Sequence, residues 1–339
     1  MQSRRLRKVL LSLVIFFLAF LFFSYWYMMK CEGNWSGEPL EKKMKTELIE
    51  IKKGMEADVD YLQKLGPRNS ENDKSYKQLR QCEEWIKQRW ESQGYFVKKH
   101  TFSFKGKEYS NLEIEIKGRT LPSEIIVMSA QYDTLPDSPG ANNNGSGIAI
   151  LFQLSQLLRK HSPDRTLRLL NFINEEDPFF GTEMMGSYQY AKRCRQREED
   201  IRVMLSLDAL GIYKEEPGTQ TWPFPFSLFY PDRGNFLAFI GNLCSRKNMI
   251  EVTRGFKKGS SFPIQAGVAP EWAKGAAWSD HSSFWKFGYP GIMVTDTGGF
   301  RSSSHTTKED TMEKLNFDAM SRIVIGMYTC AVDLTSLQK

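Results

Sequence analysis

Residues 166–173, TLRLLNFI, form a short, branched and mostly apolar run that stops at Asn174-Glu175-Glu176-Asp177. A strand buried on both faces of a parallel sheet has this length and composition. Such a strand obliges the chain to lay helices over both of its sides. Two adjacent carboxylates at its end are costly unless they hold a cation or do acid–base work. Neighbouring side chains on extended backbone point to opposite faces, so the pair can divide two roles. One carboxylate can bind a metal while the other takes a proton from metal-bound water. An acidic loop after a strand is the alternative, and four residues alone do not separate the two.

Strand and helix signals alternate along the rest of the chain. Residues 46–65 and 74–93 carry helical patterns, and Gly94 follows the second as a stop. FVKKHTFSF (96–104) and NLEIEIKG (111–118) read as half-exposed strands, EIIVMSA (124–130) as a buried strand, and IAILFQLSQLLRKH (148–161) as an amphipathic helix. MMGSYQYAKRCRQR (184–197) is helical, VMLSLDALG (203–211) and GIMVTDT (291–297) are strands, and 316–336 is a closing helix. The pattern predicts an α/β fold with a mostly parallel, twisted sheet sandwiched by helices. Residues 214–234, dense in proline and aromatics, predict a loop or insertion near a pocket.

One segment stands outside this pattern. Residues 9–29, VLLSLVIFFLAFLFFSYWYMM, contain no charge and suit one transmembrane helix. Arg4, Arg5, Arg7 and Lys8 precede it, which keeps residues 1–8 in the cytoplasm and sends the body to the lumenal, periplasmic or exterior side. A cleaved signal peptide would have a shorter apolar core ending in small residues; this run ends in bulky aromatics and methionines, as an uncleaved anchor does. Residues 30–45 read as a linker and 46–339 as the folded domain. The net charge of +6 is modest and spread out, with no basic-aromatic stripe, so nucleic acid is not an expected partner. The five cysteines show no metal-finger spacing, and Cys31, beside the membrane, is placed to pair between chains. Asn34-Trp35-Ser36 is a glycosylation sequon.

In such sheets ligands bind beyond the carboxyl ends of the strands. The polar residues there are Gln131 and Asp133, Glu175 and Glu176, Asp208 and Asp296. His305 lies in a later loop and His281 in WSDHSSFW, while His100 and His161, each beside a lysine, read as solvated surface residues. The ordered segments QYD (131–133), SPGANNNGSG (138–147), NEED (174–177), SLDALG (206–211), SDHSSF (279–284) and SHTTKEDT (304–311) resemble the co-catalytic zinc exopeptidases that include aminopeptidase S, aminopeptidase Y and glutaminyl cyclase, metallopeptidase family twenty-eight. The likeness covers roughly residues 55–335.

The resemblance implies a general base at Glu175, one zinc on Glu176 and His305, and a second on Asp208. It further implies a histidine ligand at 131, a carboxylate bridging both metals at 143, and an orienting role for Asp133. Asp280 and His281 fall in a segment that would contact substrate, or that serves as a helix cap and a packing partner. The chain departs from the pattern at two ligands: Gln131 replaces the histidine and Asn143 the bridging aspartate. Amide oxygens are weak zinc ligands, so zero or one zinc is expected rather than two. The expected activity is that of a membrane-anchored exopeptidase-like hydrolase, of the aminopeptidase type, with an impaired site and a peptide or protein as substrate or ligand. A catalytically inactive pseudopeptidase with a binding or receptor-like role is the first alternative, and a one-zinc glutaminyl-cyclase-like acyltransferase the second.

Overall fold

The computed structural model describes residues 2–337 apart from residue 225. Residues 1, 338 and 339, at the ends of the expected tail and domain, lie outside the described residues, as do the side chains of 2–9 with their basic cluster, and those of 18 and 21.

The strands are β1 (Lys98–Phe104), β2 (Lys107–Ile116), β3 (Leu121–Gln131), β4 (Arg165–Phe172), β5 (Asp200–Leu207), β6 (Leu237–Asn242), β7 (Ile264–Ala269) and β8 (Gly291–Thr295). The helices are α1 (Gln2–Met29), α2 (Lys45–Leu65), α3 (Asp73–Ser92), α4 (Gly147–Leu158), α5 (Gly186–Gln196), α6 (Arg246–Gly259), α7 (His281–Lys286) and α8 (Phe317–Thr335). All strands join one sheet in the order β1-β2-β4-β3-β5-β8-β6-β7. The central β4-β3-β5-β8 set is parallel. Antiparallel pairs β1–β2, β2–β4 and β6–β8 flank it, so the sheet is mixed at its edges.

Period-two alternation splits the core. Ile126 and Met128 of β3 face a large core under α2, α4, α6 and α8, while Ile125 and Val127 face a smaller one with Tyr190 and Cys194 of α5 and Phe284 of α7. Helix α4 is apolar nearly all round and buried, as a helix between two layers must be. At the start of α3, Asn72 and Ser75 cap each other's backbone N–H groups.

Four features differ from the sequence expectations or add to them. Strands β6 and β7 and helix α6 went unread because LAFIGN and IQAGVA are short and glycine-bearing, and the polar face of α6 obscures buried Met249, Val252 and Phe256. His100 is not a solvated residue: it is buried, bonded through Nε2 to Glu113 (2.8 Å), and its Nδ1 accepts from Arg193. Residues 30–45 run along the domain, where the Gly33 N–H donates to Thr253, Glu32 pairs with Lys257, and buried Glu41 bonds Ser260, Ser261 and Arg322. The cysteines are unpaired, and Cys31 is buried, its thiol pushed up to about 11 chiefly by burial, so it is not presented for a bond between chains; the exposed thiol is Cys244.

Candidate functional site

The chain passes from β3 to β4 on one side and to β5 on the other, so the sheet order reverses at β3. Ligand crevices form at such a reversal, beyond the carboxyl ends of the strands. Gln131 is the last residue of β3, Glu175 and Glu176 follow β4, Asp208 follows β5 and Asp296 follows β8. The turn before α4 brings Asn142, Asn143 and Asn144 over these ends, and the loop after β8 brings His305.

The centre of the site is an oriented chain of carboxamides. Asn144 is fixed by backbone: its Oδ1 accepts from the N–H groups of Gly147 (3.1 Å) and Ala209 (3.2 Å), and its Nδ2 donates to the Leu207 carbonyl (2.7 Å). The same Nδ2 donates to Gln131 Oε1 (2.6 Å), which leaves the Gln131 amino group one way to face. That group donates to Asp208 (3.1 Å) and to Asn143 Oδ1 (3.2 Å), with Glu175 at 3.5 Å. Asn143, oriented in turn, donates through Nδ2 to Glu176 at 2.5 Å. Each amide is set by its neighbour, and the chain ends with N–H groups aimed at the three acids that would face a cation.

Other residues hold this centre in place. The two oxygens of Asp133 accept the backbone N–H groups of Glu175 (3.1 Å) and Glu176 (3.0 Å), so it positions the acid pair. Asp310 does the same for the asparagine turn, accepting from Asn142 N (2.8 Å) and Asn143 N (3.0 Å). Asp296 accepts from Asn142 Nδ2, Ile212 N and Gly298 N. Asn142, Asn144 and Asp310 were missed as site residues; Asp310 had a signal, the acidic position of SHTTKEDT.

Burial pushes the carboxyls of Asp133, Glu175, Glu176, Asp208 and Asp310 upward. Glu175 is raised well above the ordinary carboxyl range by burial and then by Asp208, Glu176, Asp280 and Asp133. Glu176 is raised by burial, Asp133 and Asp208 against the Asn143 hydrogen bond, and Asp208 by burial against His305 and Gln131. Asp133 is raised to about 6 by burial, against its two backbone hydrogen bonds. Acids of this kind bind protons more tightly folded than unfolded, so their stabilisation is present at low pH and is lost as pH rises through the folded value. Asp133 alone accounts for roughly 2–3 kcal/mol between pH 4 and 6. Glu41, held low by Arg322 and Ser260 despite its burial, does not reverse this trend, whereas His281, lowered to about 4 by burial, opposes it because only its unfolded imidazole takes up a proton as pH falls; that one histidine is set against the raised carboxyls of Asp133, Glu175, Glu176 and Asp280. The urea-unfolding free energy is therefore expected to rise as pH falls from 7 to 5; a decrease over that range would show that the acids are neutralised in another way.

His305 has its Nδ1 buried without a hydrogen-bond partner, and its ring packs so close to Gly298 (φ +50°) that a Cβ there would meet Cε1 at 2.8 Å. Asp280, fully buried at the start of α7, caps no N–H with its side chain, and burial raises its carboxyl well above the usual range. His281 donates from Nε2 to the Ala276 carbonyl (2.8 Å) and packs edge-on against Trp285; burial lowers it to about 4, so it is neutral. Neither residue lines the apolar cavity of about 150 Å³ beside Asp208 and His305. Trp222, Phe226 and Tyr230, from the region read as a loop near a pocket, line it together with Trp278, Phe300 and Met293.

An α/β sheet with an acid pair at a parallel strand end, a partner acid on the next strand and a loop histidine defines a metallopeptidase-type hydrolase fold. The model of peptidase family M28 matches residues 111–330. The uncharacterized protein YfbL of Escherichia coli is 30% identical over 285 residues, covering 81% of this chain and 86% of that protein. The chain belongs to peptidase family M28. The LapA aminopeptidase of Legionella pneumophila has the same fold, with a TM-score of 0.66 at 16% identity, covering 91% of this chain and 78% of that one. So does the glutaminyl cyclase of Bacteroides thetaiotaomicron, with a TM-score of 0.60 at 16% identity, over 85% of this chain and 98% of that one. The chain spans 49% of the length of two fungal relatives described as probable zinc metalloproteases.

Zinc is the metal this family implies, and the residues present do not fit a pair of zinc ions. Among the described residues, no group of three His, Cys, Asp or Glu stands ready to hold a metal ion. Gln131 and Asn143 present N–H donors, not lone pairs, to the space shared by Asp208 and Glu176.

Proposed function

We propose that the chain is a membrane-anchored member of this family that binds a peptide or protein end in its cleft without two-zinc hydrolysis. Residues 9–29 are its anchor, with the N-terminus cytoplasmic and the domain on the opposite side of the membrane. One observation carries the reading: the Asn144–Gln131–Asn143 chain supplies to Asp208 and Glu176 the hydrogen bonds that replace a cation's charge. Buried acids without a cation are protonated or hydrogen-bonded, and both states suit recognition of a polar chain end better than activation of water. The adjoining aromatic cavity suits an apolar side chain of the same ligand.

Elemental analysis of the purified full-length protein, dialysed at neutral pH against a mild chelator, tests this beside an assay with amino-acyl chromogenic substrates. Fewer than two zincs per chain and no turnover above the blank are expected. Two retained equivalents would overturn the reading. A one-zinc hydrolase is the second reading, favoured by the unpartnered Nδ1 of His305 and by the Glu175 backbone that Asp133 holds in place. One retained zinc that His305→Ala removes, together with turnover, selects it.

A further inference from the structure

Helix α1 carries an apolar stretch of bilayer length, Leu10–Met29, and none of its described side chains is buried inside the protein. Its last turns are fixed to the domain. The Tyr25 ring packs on Phe229 with centroids 4.7 Å apart. Arg246 donates to the Tyr27 and Lys30 carbonyls (both 2.9 Å) and lies over the rings of Trp26 and Tyr27. An aromatic cluster at the end of a span sits at headgroup level, so Tyr25 sets the depth of Phe229. Around Phe229 the domain exposes large apolar side chains: Phe224 is 82% exposed, Leu228 67% and Phe229 itself 49%. Trp272, 86% exposed, precedes Ala273 and Lys274 on the rim of the aromatic cavity, and Trp222 and Phe226 line that cavity beside Phe224 and Leu228. Soluble surfaces scatter such residues singly; here they gather beside a membrane helix around one opening.

We propose that Phe224, Leu228, Phe229 and Trp272 form a lipid-docking platform that seats the mouth of the aromatic cavity in the headgroup layer of the bilayer. The occupant of this surface is the membrane itself, and exposed Lys274 at the rim faces lipid phosphates. The proposal rests on reading α1 as a membrane span. A ligand of the cleft then enters from the bilayer surface with its apolar part leading.

Full-length protein carrying Cys244→Ser, which removes the exposed native thiol, tests it after reconstitution alone into phosphatidylcholine vesicles. Single cysteines at Tyr25, Phe224, Leu228 and Phe96 carry an environment-sensitive fluorophore, and spin-labelled phosphatidylcholine is the quencher. Phe96 is 86% exposed and lies beside β1, at the opposite edge of the sheet from β7, where α1 packs. Labels at 224 and 228 are expected to be quenched about twofold, as at 25, and the label at 96 hardly at all. Quenching at 25 with none at 224 and 228 overturns the platform, keeps the span and turns the patch over to a protein partner or to water. No quenching at 25 removes the span, and the platform with it.

Discussion

Gln131→His combined with Asn143→Asp is expected to give a protein that takes up two zincs and gains peptidase turnover. The scaffold for the change is already in place. Asn144 keeps its bonds to Leu207, Gly147 and Ala209, and the backbone of residue 143 keeps Asp310, so neither turn depends on the two amides that are removed. The double change frees Asp208 and Glu176 from their N–H donors and adds an imidazole and a shared carboxylate. Without metal it also adds an acid to a buried acidic cluster, so the metal-free variant is less stable than the parent. Saturating zinc then stabilises the variant by about 4 kcal/mol at a thousand times its dissociation constant, as a thermal shift the parent lacks. Adding Glu175→Gln is expected to lower turnover by about 10²–10⁴-fold while zinc stays bound, because a base is not a ligand. Each single repair does less than the pair, since both positions serve one metal and are coupled. A folded double variant with no more zinc than the parent sinks the mapping of ligands. Two zincs without cleavage would point to a remodelled cleft and strengthen the binding reading.

Arg68→Leu is expected to be the most damaging single change outside the acidic centre, at about 3–5 kcal/mol by urea unfolding. Arg68 is fully buried, and its guanidinium donates to carbonyls rather than to a carboxylate: Tyr132, Leu62, Gly66, Pro139 and Gly140, at 2.9–3.4 Å. One planar fork thereby ties the end of α2 to the loop that carries Asp133 and leads to the asparagine turn. Leucine fills part of the volume and leaves buried oxygens without donors. Lysine restores the charge but not the fork, so Arg68→Lys is expected to recover less than half of the loss. The approach is tight enough that a Cβ on Gly140 (φ +64°) would meet Arg68 Nη2 at 2.8 Å. A cost below about 1 kcal/mol for Arg68→Leu would show that other contacts hold this loop.

What the sequence disclosed follows from how local each signal is. The buried run 166–173, the amphipathic helix at 148 and the acids at strand ends are short-range patterns, and they placed the central sheet and the acid pair. The replaced ligands Gln131 and Asn143 were legible because they interrupt an ordered series. Their consequence was not: which way an amide faces depends on Asn144, and Asn144 is set by backbone groups of Ala209 and Leu207, some sixty residues away. His100 misleads for the same reason, since an imidazole beside lysines reads as solvated until its distant partners are known. Strands β6 and β7 carry too few residues to show a period.

The docking of residues 30–45 has a kinetic consequence. A free chain of that length would let the domain roam roughly 20 Å from its anchor and sample the solution around it. With Gly33 against α6 and Glu41 on Arg322 that reach is gone, and under the proposal that α1 spans a membrane the cleft is held at one height at the bilayer surface. Encounters with ligands held in the same membrane then become a search in two dimensions, paced by lateral diffusion and surface density. A ligand free in solution must first arrive at the surface, so its bulk concentration alone does not set how often the site is filled.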